Sequence, residues 1–156
     1  MCGIAGIFHL NGQGTVNRPL LKAMNQAQFH RGPDEGGIWD DQGIGLAHRR
    51  LSIIDLSSLG KQPMTNEDNS VVVVFNGEIY NYIELRESLI KKGHTFYTHT
   101  DTEVIVHLYE EYGEDYVHHL NGQFAIALWD KPNRKGLLCR DRVGITPLFY
   151  KYSAQS

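Results

Sequence analysis

The chain has 156 residues, with 15 Lys and Arg against 18 Asp and Glu, a formal net charge of −3, 41% hydrophobic and 21% charged residues. That length suits one domain, the apolar share suits a packed core, and both exclude disordered and fibrous classes. The missing basic excess argues against a dedicated nucleic-acid binder, and no apolar run approaches the roughly 18 residues that a membrane span needs.

The chain opens with Cys2 to His9, where Ile4, Ala5, Ile7 and Phe8 read as a strand. Gly3 and Gly6 interrupt this apolar start and no basic residue precedes it, so it does not read as a signal peptide. The expectation is a soluble, cytoplasmic protein. Asn11-Gly12 marks a turn. Pro19 to Phe29 reads as a helix capped by Asn17, with Leu20, Leu21 and Met24 on one side. His30-Arg31-Gly32-Pro33-Asp34 is predicted to be a loop. Short strands are expected at 38–40 and 44–48 around Asp41-Gln42-Gly43, with a third at 51–54. Val71 to Phe75 is short and β-branched, which predicts a strand buried on both faces, broken by Asn76-Gly77.

Asn81 to Lys92 predicts a helix with an Asn81/Glu84 capping box and Gly93 as its stop. Thr102 to Tyr112 predicts another, with Thr100 and Glu103 as a capping box and Gly113 as its stop. Phe124 to Trp129 reads as a second buried strand. Pro132-Asn133 turns it into 136–140, and a last strand is expected at 148–152. Strands buried on both faces, with two helices adjacent in sequence, point to stacked sheets flanked by helices.

The chemistry starts at Cys2, which follows Met1 directly. Trimming of Met1 would give one residue both a thiol and a free α-amine. The amine, with an ordinary pKa of about 7.7–8.0, can accept the proton of its own thiol. Taken alone, Cys2 is simply a small apolar residue opening a strand. Gly3 beside it would let a substrate carbonyl approach closely. A thiolate attacking an amide makes an oxyanion that needs fixed donors. Asn76-Gly77, at the end of a rigid strand, offers a side-chain NH₂ and a backbone N–H, though an isolated Asn-Gly is usually a turn. Arg50 can hold a carboxylate bidentately. Asp101 can hold an ammonium if Thr100 is the helix cap. Singly, these are a solvated Arg and an Asp favourable at a helix N-terminus. Together the four elements match glutamine, which has a carboxylate, an ammonium and a side-chain amide. No metal site is expected: the eight His are scattered, His94 and His99 lie across a likely strand, and solvated His is the better reading. Cys139, after Leu137 and Leu138, is expected to pack inside a strand. Two cysteines make no disulfide framework.

Seven segments in order carry a resemblance: Met1-Cys2-Gly3-Ile4-Ala5-Gly6; His30-Arg31-Gly32-Pro33-Asp34; His48-Arg49-Arg50-Leu51-Ser52-Ile53-Ile54-Asp55; Asn76-Gly77-Glu78-Ile79-Tyr80-Asn81; Thr100-Asp101-Thr102-Glu103-Val104; Asn121 through Asp130; and Arg140 through Tyr150. Together they resemble the glutaminase domain of class II glutamine amidotransferases, specifically of glutamine-dependent asparagine synthetases. The resemblance covers nearly the whole chain and makes residues 1–156 one such domain. It implies an α+β fold, the four-layer αββα sandwich of N-terminal nucleophile hydrolases. It also implies Cys2 as nucleophile and Asn76 and Gly77 as the oxyanion hole. Arg50 would bind the carboxylate of L-glutamine and Asp101 its ammonium. Glu78 and the backbone of Leu51, Ser52, Ile53 and Ile54 would line the pocket. Arg50 rather than Arg49 is indicated because the family's Arg directly precedes Leu-Ser-Ile.

The resemblance also implies an ATP-dependent synthetase domain or subunit as partner, using ATP and Mg there, with no cofactor in this chain. No Ser-Gly-Gly-x-Asp-Ser pyrophosphate loop and no Gly-x-x-x-x-Gly-Lys-Ser/Thr loop occur here. Family members have further strands after 148–152, so a sandwich truncated at its C-terminal end would leave an unpaired edge. Two alternatives stay open. One is a silent glutamine-binding or regulatory module. The other is an amidotransferase with a different ammonia acceptor, though those relatives carry an Arg-Trp-Ala-Thr-His-type segment where this chain has Arg50-Leu51-Ser52-Ile53-Ile54.

Overall fold

The computed structural model describes residues 2–10, 12–52 and 58–153. Its strands are β1 (Gly3–Phe8), β2 (Glu35–Asp41), β3 (Ile44–Arg50), β4 (Met64–Thr65), β5 (Val71–Ile79), β6 (Gly122–Asp130) and β7 (Lys135–Arg140). Its α-helices are α1 (Arg18–Ala27), α2 (Tyr82–Lys91) and α3 (Glu103–Tyr112). The strands form two antiparallel sheets, ordered β1-β3-β2 and β4-β5-β6-β7.

Alternation along β5 explains how the sheets stack. Successive side chains point to opposite faces. Val72 and Val74 meet Ile44 and Leu46 of β3 and Trp129 of β6 between the sheets. Val71, Val73 and Phe75 point the other way, onto Leu89 of α2 and Val104, Ile105 and Leu108 of α3. On the outer face of the three-stranded sheet, Ala47 packs with Leu21 of α1 and Val16. The layers therefore run α1, sheet, sheet, α2 with α3, the expected αββα sandwich. Both central strands are covered on both sides, which is why Val71–Phe75 reads as an unbroken apolar run.

Several expectations fail locally. Asn76-Gly77 does not end β5: the strand continues to Ile79, with Gly77 opposite Phe124 of β6. A methyl group at position 77 would collide with the Gln123 carbonyl oxygen, so glycine serves here for close strand approach rather than for a turn. The Asn81/Glu84 capping box does not form. Asn81 instead accepts from Asn121 N–H at 3.0 Å and donates to His119 O at 2.9 Å, tying α2 to the start of β6. Thr102, not Thr100, occupies the N-cap of α3 and makes no side-chain cap bond. Glu103 turns back to the preceding segment, accepting from Tyr97 N–H at 2.8 Å and Thr98 N–H at 2.7 Å. By contrast, Asn17 caps α1 as expected, accepting from Leu20 N–H at 3.0 Å. The 30–34 loop begins in a 3₁₀ turn over Phe29–Arg31.

Leu51 and Ser52 form no strand, and Ile53 and Ile54 lie outside the described residues. The segment 148–152 has no regular structure. Asp141 draws the chain away after β7 by accepting from Ile145 N–H at 2.8 Å and Thr146 N–H at 2.9 Å. Phe149 and Tyr150 beyond it are 90% and 82% exposed, so β7 remains an edge among the described residues.

Candidate active site

The two sheets deliver the predicted residues to one cleft from opposite sides. Cys2, Arg50 and Leu51 come from the three-stranded sheet and the chain that leaves it. Asn76, Gly77 and Glu78 come from the end of β5, and Asp101 from the segment entering α3. All line the same cavity of about 80 Å³. Ser52 is not on its wall: its N–H donates to Asp34 Oδ2 at 2.8 Å. Ile53 and Ile54 lie outside the described residues.

Cys2 is fixed through its neighbours. Leu51 N–H donates to the Cys2 sulfur at 3.4 Å, and the thiol faces Leu51 O at 3.8 Å. Arg31 Nε donates to Cys2 O at 3.0 Å, so the 30–34 loop pins the backbone of the reactive residue. The space beside Gly3 does not open onto the cleft. It is filled by Gln28, whose Oε1 would lie 2.6 Å from a methyl group there. Gly3 is needed for packing against Gln28, not for substrate approach.

Alternation on β3 separates the two adjacent arginines. Arg49 turns outward, donating to Gly32 O at 2.9 Å and covering the Phe29 ring. Arg50 turns into the cleft, where its side chain is only 6% exposed and its Nη1 pairs with Glu35 Oε2 at 2.7 Å. A side chain at position 60 would strike the Arg50 guanidinium and would stand 2.8 Å from Thr100 Cγ2, so Gly60 makes room for the Arg50 head.

Across the cleft, Asp101 is nearly buried and accepts from Ile79 N–H at 3.0 Å. Burial pushes its carboxyl up to about 6; the Ile79 N–H opposes this and the nearby Glu78 charge adds to it. A cation beside the carboxylate would offset the cost of its burial, and a ligand ammonium would supply one. Asn76 is buried, and its Oδ1 has no hydrogen-bond partner in the described protein. An unpaired buried acceptor costs about 1–3 kcal/mol, which a ligand N–H would recover.

The backbone leading to Asn76 is held from both sides. His48 Nε2 donates to Phe75 O at 3.1 Å, and Gln62 Oε1 accepts from Phe75 N–H at 2.6 Å. Gln62 Nε2 also donates to Thr102 Oγ1 at 3.2 Å, linking the Asn76 strand to the segment carrying Asp101. Burial, with the charges of Arg50 and Arg49, lowers the His48 pKa to about 4, so this imidazole is neutral at neutral pH. Gly60, Gln62, Thr100, Thr102 and Gln123 line the cleft and were not predicted. Gln62 carried no sequence signal beyond standing before Pro63. The solvated-His expectation fails at His48 and His107, which are 1% and 0% exposed, and at His94, whose side chain is 13% exposed.

Comparison with known proteins is consistent with this geometry. A family model described as the glutamine amidotransferase domain matches residues 1–156. Asparagine synthetase (glutamine-hydrolyzing) 2 of Bacillus subtilis (strain 168) is 51% identical over 152 residues, which is 96% of this chain and 20% of that protein. Asparagine synthetase (glutamine-hydrolyzing) 1 of the same strain is 47% identical over 152 residues, covering 96% and 24%. Asparagine synthetase (glutamine-hydrolyzing) 2 of Oryza sativa subsp. japonica is 46% identical over 149 residues, covering 96% and 25%. The chain thus spans about a quarter or less of these relatives' length.

Proposed function

The chain belongs to the glutamine amidotransferase domain family, and on that footing we propose that it hydrolyses glutamine to glutamate and ammonia through a Cys2 thioester. The observation that carries this reading is the convergence of a thiol, a buried guanidinium, a buried carboxylate and an Asn amide on one cleft. These are the complements of glutamine's side-chain amide, carboxylate and ammonium.

The steps follow from the positions. Once Met1 is removed, the Cys2 amine takes the thiol proton, and the sulfur attacks the amide carbon of glutamine. The oxyanion that forms receives hydrogen bonds from the Asn76 amide and the Gly77 N–H. Collapse expels the nitrogen, which leaves as ammonia with the proton held by the Cys2 amine. Water then attacks the thioester carbon, glutamate leaves, and the thiol is restored. Arg50 holds the carboxylate and Asp101 the ammonium, which fixes the amide over the sulfur. Leu51 and Glu78 complete the walls of the pocket. Ser52 supports it from behind by holding Asp34.

The identity to asparagine synthetases supports ammonia delivery to an ATP-dependent synthetase domain or subunit that makes asparagine from aspartate. In this reading ATP and Mg²⁺ act there, and the cysteine chemistry asks no cofactor of this chain. Among the described residues no helix is long and apolar enough to cross a membrane. A thiol that must stay reduced to react suits the cytoplasm. Ammonia release from glutamine tests the reading: the wild-type chain is expected to produce it and Cys2→Ala to produce none. Comparable ammonia from both would overturn it.

A further inference from the structure

A second group of side chains converges away from the cleft walls. Glu67 follows β4, His94 follows α2, and His107 and Glu110 stand one turn apart on α3. One ligand atom from each of Glu67, His94 and His107 lies within 4.8 Å of the other two. His107 Nδ1 is 3.6 Å from Glu67 Oε2 and 2.9 Å from Glu110 Oε2. His94 Nδ1 is 3.6 Å from that same Glu110 oxygen. With metal–ligand bonds of about 2.0–2.2 Å, neighbouring ligands on a tetrahedral zinc stand about 3.3 Å apart. The observed separations fall on either side of that value.

Hydrogen bonding explains which atoms face inward. His94 Nε2 is 3.0 Å from Glu111 Oε1. A carboxylate only accepts, so Nε2 carries a proton and donates it. Its Nδ1 faces the Glu110 Oε2 atom, so a cation placed between the two would be held from both sides. A carboxylate on the outer nitrogen is also the arrangement that orients metal-binding imidazoles. Glu103 Oε1 stands 3.7 Å from His107 Nε2, on the far side of the ring but beyond hydrogen-bond distance. The carboxylates are braced too. Thr95 N–H donates to Glu67 Oε1 at 3.1 Å, and Asn66 Nδ2 donates to Glu110 Oε1 at 2.8 Å. In each, the other oxygen is left to face His107.

We propose that Glu67, His94, His107 and Glu110 form a site for a divalent ion of the zinc class, held through the two Nδ1 atoms and the two Oε2 atoms. Two imidazoles select such an ion over Mg²⁺ or Ca²⁺. Binding displaces to solvent the proton shared between His107 Nδ1 and Glu110. It clasps the 66–70 and 92–102 connections to α3, the second of which carries Asp101.

Zinc and cobalt(II) titration of the Cys2→Ser chain tests the site, because Cys2→Ser removes the competing catalytic thiol. One equivalent is expected to bind, cobalt giving the intense visible bands of a tetrahedral site. Saturating zinc is expected to raise the melting temperature by about 5 °C or more. His94→Ala and Glu67→Gln, at positions with some solvent access, are expected to melt near the parent without metal and to bind at least about tenfold more weakly. Mg²⁺ is expected to leave the melting temperature unchanged. No saturable binding, or binding that both variants leave unaltered, would overturn the proposal.

Discussion

Asp101→Asn separates what the site costs the fold from what it does for the substrate. The Asp101 carboxyl titrates at about 6 against an ordinary 3.8, chiefly because it is buried. Each tenfold change in proton affinity is worth about 1.4 kcal/mol, so keeping Asp101 ionised at neutral pH costs the fold about 3 kcal/mol. The sign follows from the direction. A carboxyl raised in the folded state carries no penalty below pH 4, where it is protonated folded and unfolded. The penalty grows between pH 4 and 6, as the unfolded chain releases its proton first, and is complete above 6. Asparagine keeps an oxygen for the Ile79 N–H and carries no charge. Asp101→Asn is therefore expected to melt about 6–12 °C above wild type at pH 7.5, at about 2–4 °C per kcal/mol for a chain of this size. That gap is expected to close by pH 4. Calorimetry of both proteins from pH 4 to 7.5, without glutamine, measures it. Titration of His48 is common to both and drops out of the difference. Added glutamine is expected to raise the melting temperature of the wild type alone. An Asp101→Asn variant melting at or below wild type at pH 7.5, or a gap that does not move with pH, would refute the reasoning.

Asn76→Ala is expected to lower kcat for ammonia release by about 10²–10³, the loss typical of one oxyanion donor; a rate near wild type removes it from that role. Arg50→Ala is expected to raise KM for glutamine far more than Arg49→Ala, since only Arg50 faces the cleft; equal effects on KM would contradict the assignment. His48→Leu leaves the buried Phe75 carbonyl without its donor and is expected to cost about 1–3 kcal/mol on chemical denaturation. Because that carbonyl begins the peptide to Asn76, kcat is expected to fall with KM little changed, and His48→Gln to restore part of it.

Much of the architecture was legible in the sequence because local signals and tertiary demands agreed. The Val71–Phe75 run could only be a strand covered on both faces, and it stands at the centre of the sandwich. Asn17 was a readable cap because a side chain bonding three residues ahead is a local event. Where tertiary contacts took over, local reading failed. Asn76-Gly77 has turn chemistry but is held flat in β5 by pairing with β6. Asn81 gave up its cap to reach Asn121, forty residues away, and Glu103 was drawn back by the N–H groups of Tyr97 and Thr98. Gly3 looked like space for a substrate, yet Gln28 fills it.

The cleft was legible in its chemistry and not in its walls. Cys2, Arg50, Asn76 and Asp101 stood out because each bears a group that glutamine needs. Gln62 joins the Asn76 strand to the Asp101 segment through two hydrogen bonds, and nothing in its neighbours announced that. Glu67, His94 and His107 come from three separate segments, so their meeting depends on how α3 packs against the sheet.

The central claim is that the Cys2 sulfur attacks the side-chain carbonyl of glutamine. Intact-mass analysis with peptide mapping, after incubation with a glutamine analogue bearing an electrophilic diazoketone in place of the amide, tests it most directly. The account predicts a single adduct on Cys2 in protein that has lost Met1, none on Cys139, and protection by excess glutamine. Met1-free protein that stays unmodified, or that is labelled equally well in the presence of glutamine, would contradict it.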